Sequence, residues 1–248
     1  MVLNISTKES YFYYLCRIEI TQKPINKYIY MKRILIIATL LSSLNIMNIA
    51  AQAITEKNFT EYDNKDLFLE DGKIEYETSA IYLTKLYKPD KDNSISRNEV
   101  INFKGIDKKH ITESIDKWFR NNFNTDKSMI ITNDLSNGII SAKGYIDNIA
   151  QHSSLTSSSK INGTVILQTT IDDEKVTVKS TIVSYEMEMQ QGVLGNLAGT
   201  SYSIWLPTKS FPYFGKKYKV TASKALVNCH IWSKLMTDNM VQTIDYHK

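Results

Sequence analysis

Cys229 and His230 are neighbours in this chain. A thiol beside an imidazole is the pairing a cysteine nucleophile needs, because a base must take the thiol proton before the sulfur attacks. Successive positions on a helix, however, project about 100° apart, so the pair points in two directions and the spacing favours a buried, inert thiol. His110, His152, His230 and His247 are the other residues able to hold a metal. No two of them stand within a helical turn of each other and no carboxylate motif frames them, so no metal site is expected. Asp172, Asp173 and Glu174 suggest a calcium loop or an acid/base pair, but further oxygen ligands are missing and Lys175 follows at once, which reads as a solvated hairpin turn. The serines from Ser153 to Ser159 lack the frame of a nucleophile elbow. Gly192, Gly195 and Gly199 lack the Lys-Ser/Thr ending of a phosphate cradle. No catalytic residue and no cofactor are assigned.

What remains is contact chemistry. Tyr202, Ile204, Trp205, Phe211, Tyr213 and Phe214 gather around Pro207, Pro212 and Gly215, and large apolar side chains concentrated beside turn residues form the chain's candidate surface for a protein partner or a small apolar ligand, with Trp205, Phe211, Tyr213 and Phe214 as its contact residues.

The elements that must carry these residues are legible from periodicity. Asp107 caps a helix running from Lys108 to Phe123, with Ile106 and Ile111 closing a hydrophobic staple and Ile111, Ile115, Trp118, Phe119 and Phe123 on one face. Glu99 to Phe103 reads as the strand before it. Ser128 to Thr132 and Ile139 to Ile146 form a hairpin about Asn137-Gly138. Residues 151–160 read as a polar connection, and Ile161 to Ile171 with Val176 to Val183 as a longer hairpin. Residues 187–215 read as a loop rich in glycine and aromatics, followed by a helix from Thr221 to Asn239 with Cys229, Trp232 and Met236 on its apolar face. Ahead of all this, Leu67 to Leu69 and Ile74 to Tyr76 flank an Asp71-Gly72 turn, and Ile81 to Tyr87 reads as a further strand.

Met31-Lys32-Arg33 opens an uncharged run from Ile34 to Ala50 that Ala51-Gln52-Ala53 closes. This is the anatomy of a secretory signal peptide, with cleavage specified by Ala51 and Ala53 and the mature chain starting at Ile54. Residues 1–30 then read as an upstream extension before the true start at Met31. At about 18 residues, interrupted by Ser42, Ser43, Asn45 and Asn48, the run is marginal for crossing a bilayer roughly 30 Å thick, so no stable span is expected after cleavage. The expected location is bacterial and exported: periplasm, envelope or outside. The organisation is thus an extension (1–30), a signal peptide (31–53), an N-terminal strand and linker segment (54–95), a main domain (96–240) and a tail (241–248).

Charge narrows the partners. The chain has 30 Lys and Arg against 26 Asp and Glu. Six of the former and two of the latter lie in residues 1–53, leaving a neutral remainder with 24 of each. A nucleic-acid binder concentrates cations to displace the counterions around phosphates, so no nucleic acid is expected. The charge is uneven all the same: residues 54–95 hold six basic and ten acidic side chains, and 207–248 hold seven and two.

Val100 to Phe103, Gly105-Ile106-Asp107, Ile115 with Trp118-Phe119, the Met129 to Asn133 strand, and Gly138-Ile139-Ile140 followed by Lys143-Gly144 resemble a family of exported bacterial domains of unknown function with a TATA-box-binding-protein-like (TBP-like) fold. The resemblance spans roughly residues 96 to 186. It implies an α+β fold, a curved antiparallel sheet built strand-helix-four strands-helix with helices packed on one face, and it transfers no catalytic residue. The resulting expectation is an exported, non-catalytic module that binds a protein or small apolar ligand between sheet and closing helix. The alternative is an envelope hydrolase whose acid/base dyad is assembled across the fold.

Overall fold

The computed structural model describes residues 66–153, 157–191 and 200–245. The signal segment with Ala51 and Ala53, the start at Met31, and the run through Gly192, Gly195 and Gly199 lie outside the described residues. In chain order the elements are β1 (Leu69–Glu70), β2 (Lys73–Ile74), α1 (Tyr76–Leu83), β3 (Lys88–Pro89), β4 (Ile95–Asn102), α2 (Lys108–Asn122), β5 (Met129–Asp134), β6 (Ile139–Ser153), β7 (Ser157–Asp172), β8 (Lys175–Gln191), β9 (Thr200–Trp205), a 3-10 turn (Pro207–Lys209) and α3 (Lys219–Asp245).

Alternation in β7 and β8 sets the sheet. Ile161, Val165, Leu167 and Ile171 pair with, or lie beside, Val176, Val178, Ile182 and Met187, and all are buried. Period-two patterning puts them on one face, which the helices cover. The seven-stranded antiparallel sheet runs β3-β4-β8-β7-β6-β5, and β9 pairs with the far half of β8. β4 therefore pairs with Lys175 to Ile182, and β9 with Tyr185 to Gln190. One long strand serves two partners on the same side. A mixed α+β architecture with an antiparallel TBP-like sheet is what the sequence led us to expect.

α2 begins at Lys108 because the Asp107 carboxylate accepts a hydrogen bond from the His110 amide at 2.9 Å, replacing a partner the first turn lacks. Ile106 and Ile111 are both buried beside that cap. Trp118 and Phe119 are core residues, and the Trp118 indole donates to Asn239 Oδ1 on α3 at 2.7 Å. α3 lies flat on the sheet through Trp232. At Gly144 a Cβ would come within 2.3 Å of the Trp232 ring, and at Gly163 one would come within 2.7 Å of Cys229 Sγ. Close packing of ring on strand requires glycine at both places. At these two places ring and thiol fill the space between strand and closing helix, leaving none there for a ligand.

Several element boundaries differ from expectation. Ile81 to Tyr87 is not a strand; α1 occupies Tyr76–Leu83 and packs on α3 with Ser79, Ala80 and Leu83 buried, so tertiary packing overrides a β-prone composition. The polar stretch 151–160 is not merely a connection, because β6 and β7 stay paired out to Ser153 and Ser158. A bulge between Ile146 and Ala150 re-aims β6, and there Asn148, at φ 55°, donates its amide to Asn162 Oδ1 at 2.8 Å. Of residues 187–215, the ends of β8 and all of β9 are strand. α3 reaches Asp245 and takes up much of the supposed tail. The Asn137-Gly138 turn uses one positive φ, at Gly138, within a four-residue loop closed by the Gly138 amide on Leu135 O.

Candidate functional site

Two regions bring chemistry-bearing side chains together. The first is a buried polar seam where α3 crosses β4. Arg97 and Glu99 are alternate residues of β4, opposite Ser180 and Val178 on the covered face. His230 and Lys234 are one helical turn apart on α3 and reach the same seam. Lys234 Nζ donates to Glu99 Oε1 at 2.6 Å, and Arg97 Nη2 donates to Glu99 Oε2. Arg97 Nη1 also stands 3.5 Å from Asp66 Oδ2. His230 is completely buried; its Nδ1 is 3.4 Å from the Tyr87 hydroxyl, and its Nε2 lies 3.6 Å from Asp66 Oδ2 without a hydrogen bond.

The electrostatics make this seam a clamp. Burial, with Arg97 and Lys234 nearby, disfavours the imidazolium and holds His230 down at about 3. Burial pushes Glu99 up, but the hydrogen bond and charge of Lys234, together with Arg97, outweigh it and keep the carboxyl below its ordinary value. Burial pushes the Cys229 thiol far up. A general acid for neutral pH needs a raised carboxyl, and a thiol nucleophile needs a lowered one. Both shifts here run the wrong way, so Cys229-His230 is not a nucleophile-base pair and Glu99 is an ion-pair partner. Sequence reading missed this seam. Its signal was Arg97-x-Glu99 at strand spacing and His230 with Lys234 at helical spacing, far apart in the chain. Among the described residues, no three of His, Cys, Asp and Glu cluster as metal ligands.

The second region is the end of the molecule where β9 leads through the 3-10 turn into α3. Trp205 pairs with Tyr185 at the end of β9 and stacks on Tyr218, ring centroids 5.3 Å apart at 18°. Ile204, Trp205, Leu206 and Tyr218 line an open groove of about 490 Å³ together with Lys209, Lys216 and Lys217. The residues expected as one surface divide in two. Phe214 is exposed, at 75 %, whereas Trp205 is half-buried, lining the groove on one side and packing on the core on the other. Phe211 and Tyr213 turn inward and pack on the core: Lys219 Nζ sits 5.5 Å over the Phe211 ring, and the Tyr213 hydroxyl donates to Tyr87 O at 3.0 Å. The loop is held in place by these two aromatics while Phe214 stays out. Ile204 and Tyr202, which the sequence placed in the same cluster, are exposed at 71 and 65 %; Tyr218, exposed at 52 %, was not among the expected contact residues.

Away from the helices the sheet's open face carries Gln168, Lys143, Lys179, Thr177 and Glu186 together with Ile166 and the exposed Val100, Met129, Tyr202 and Ile204. No helix among the described residues is long and apolar enough to cross a membrane.

Residues 98–186 match the family model of a domain of unknown function (DUF4468) with TBP-like fold. Two crystal structures are similar to the chain. One is a TBP-like protein from Parabacteroides distasonis ATCC 8503, 14 % identical with a TM-score of 0.40, the match covering 63 % of this chain and 94 % of that one. The other is a DUF4468 family protein from Bacteroides ovatus ATCC 8483, 14 % identical with a TM-score of 0.41, covering 62 % and 89 %. No curated protein matches the sequence.

Proposed function

Residues 98–186 belong to the TBP-like domain of unknown function, and from that premise we propose that the chain is an exported, non-catalytic binding module of the cell envelope. Its contact site is the groove between β9 and the start of α3, which takes a protein segment or a small apolar ligand. The observation that carries this reading is the groove itself, where Trp205 and Tyr218 stack and large apolar side chains remain exposed. Apolar surface left uncovered at one place, with polar groups around it, marks a contact site. The titratable groups of the seam support the non-catalytic half of the proposal, since ion pairing and burial move them away from acid, base and nucleophile duty. Export rests on the segment from Met31 to Ala53, and exclusion of nucleic acid on the balanced charge of the remainder.

Trp205 reports on the groove directly. A medium-chain fatty acid below its micellar concentration is expected to change its fluorescence saturably, and Leu206→Glu to abolish the response. A flat titration together with an empty pull-down from the native envelope would sink the contact reading. Mass determination on protein recovered from its host addresses export separately: a chain beginning at Ile54 is the expected result, and one retaining Met31 to Ala53 is the contrary one.

A further inference from the structure

The end of the molecule around the groove exposes more apolar surface than a small ligand would cover. Tyr202, Phe214 and Val220 are exposed and lie outside the groove's lining. The same stretch has an extreme charge composition: from Met189 to Thr237 there is no Asp, Glu or Arg, but six Lys. Three of the six are engaged, Lys234 with Glu99, Lys224 over the Tyr76 ring and Lys219 over the Phe211 ring. Lys209, Lys216, Lys217 and Lys219 are exposed at the end that carries the aromatics. A chain whose residues 54–248 balance in charge has thus placed unpaired cations beside its uncovered aromatics.

The type of cation decides what kind of partner fits. Centres of protein interfaces are enriched in Arg and depleted in Lys, because a flexible, strongly hydrated ammonium is costly to hold in a dry, fixed contact. At a lipid surface the same side chain is well suited: its stem lies along apolar matter while its head stays in water among anionic headgroups. Tyr, Trp and Phe sit well at headgroup depth. We infer that this end of the protein docks peripherally on an anionic phospholipid bilayer, with Phe214 and Tyr218 entering the interface and Lys209, Lys216 and Lys217 meeting the headgroups. The inference rests on the reading of this end as the contact site, though not on a small ligand occupying the groove. Carboxylates fix the orientation. Glu186 and Glu188 stand directly across the ladder from Ile204 and Tyr202, on the same open face of the sheet, and Glu186 Oε2 accepts the Tyr145 hydroxyl at 3.3 Å, so the surface that meets the lipid is the segment from Lys209 to Lys219 and not that face.

The test uses the full chain and vesicles of phosphatidylcholine alone or mixed with phosphatidylglycerol. Each lysine near an anionic surface contributes about a fivefold gain in partitioning, so Lys209→Glu, Lys216→Glu and Lys217→Glu together should weaken binding to the mixed vesicles by roughly 100-fold or more. Binding to phosphatidylcholine alone should change little. The apolar run 34–50 is the same in parent and variant and drops out of the ratio. Lipids carrying bromine on the acyl chain supply a readout that needs no variant: Trp118 and Trp232 are 3 and 5 % exposed, so quenching on the mixed vesicles reports Trp205. Equal partitioning of parent and triple variant, or an unquenched Trp205 on bound protein, would overturn the inference. If vesicle docking fails while the fatty-acid response persists, only the membrane assignment falls. If docking holds and the fatty-acid response is flat, only the small-ligand assignment falls.

Discussion

Two regions along one helix treat charge and apolar surface in opposite ways. Midway along α3, His230 and Lys234 are buried against Arg97 and Glu99, every cation facing an anion or held beside one. Where α3 begins, Lys216, Lys217 and Lys219 stand in solvent beside Tyr218 and Phe214, in a stretch with no carboxylate of its own. The ionisable side chains of the seam are therefore paired or buried, and the uncovered apolar surface lies with residues that have no ionisable partner beside them but lysine. Ionisable groups brought out of water must be paired to persist, and pairing removes the free proton or lone pair that a catalyst would use.

The sharpest way to test that contrast is to break the seam. Lys234→Met leaves Glu99 half-matched beside Arg97, and a lost partner in a largely buried pair costs about 3 kcal/mol, read as a lower urea midpoint. Adding Glu99→Leu should recover much of that loss, because both charges of the bond then leave together. A single variant as stable as the parent would show that the seam holds nothing.

Acid should act next, and in a definite direction. His230 is held at about 3 against an ordinary 6.5, so between those values the unfolded chain takes a proton that the folded one refuses. Stability is full above 6.5 and falls as the pH drops toward 3, by about 1.4 kcal/mol per pH unit for that one group. Glu99, lowered by its cations, adds to the loss when the pH falls through its folded value. His230→Asn should flatten the upper part of this slope in urea melts taken across the window.

The smallest effect on folding is expected at the other region. Phe214→Ser and Ile204→Thr remove exposed side chains and should shift stability by no more than about 0.5 kcal/mol, while weakening whatever the groove end binds. If these two variants unfold the protein and leave binding intact, the division between clamp and contact surface is wrong.

Much of the fold was legible because it is local. The Asp107 cap, the Ile111 to Phe119 stripe and the alternation from Ile161 to Ile182 each specify an element within a few residues. Where reading failed, distance was the reason. Nothing near Ile81 says that α3, more than a hundred residues later, will cover one face of a helix there. β9 looked like loop because it is a short strand next to a glycine-rich run, and it is ordered by pairing with the far half of β8. Aromatic clustering brought Trp205, Phe211, Tyr213 and Phe214 together as candidates. It could not tell the exposed Phe214 from Trp205, Phe211 and Tyr213, which pack on the core.

By itself, then, the sequence determined the element types of the central domain, the neutral balance beyond residue 53 and the cation-only stretch before Asp238, since these follow from periodicity and composition. Tertiary structure alone decided that Arg97, Glu99, His230 and Lys234 form one seam, that Cys229 is sealed against Gly163, and which aromatics remain outside. Those outcomes depend on pairings across many tens of residues, where the free energy of a contact is set by what arrives opposite it, and no local pattern records that.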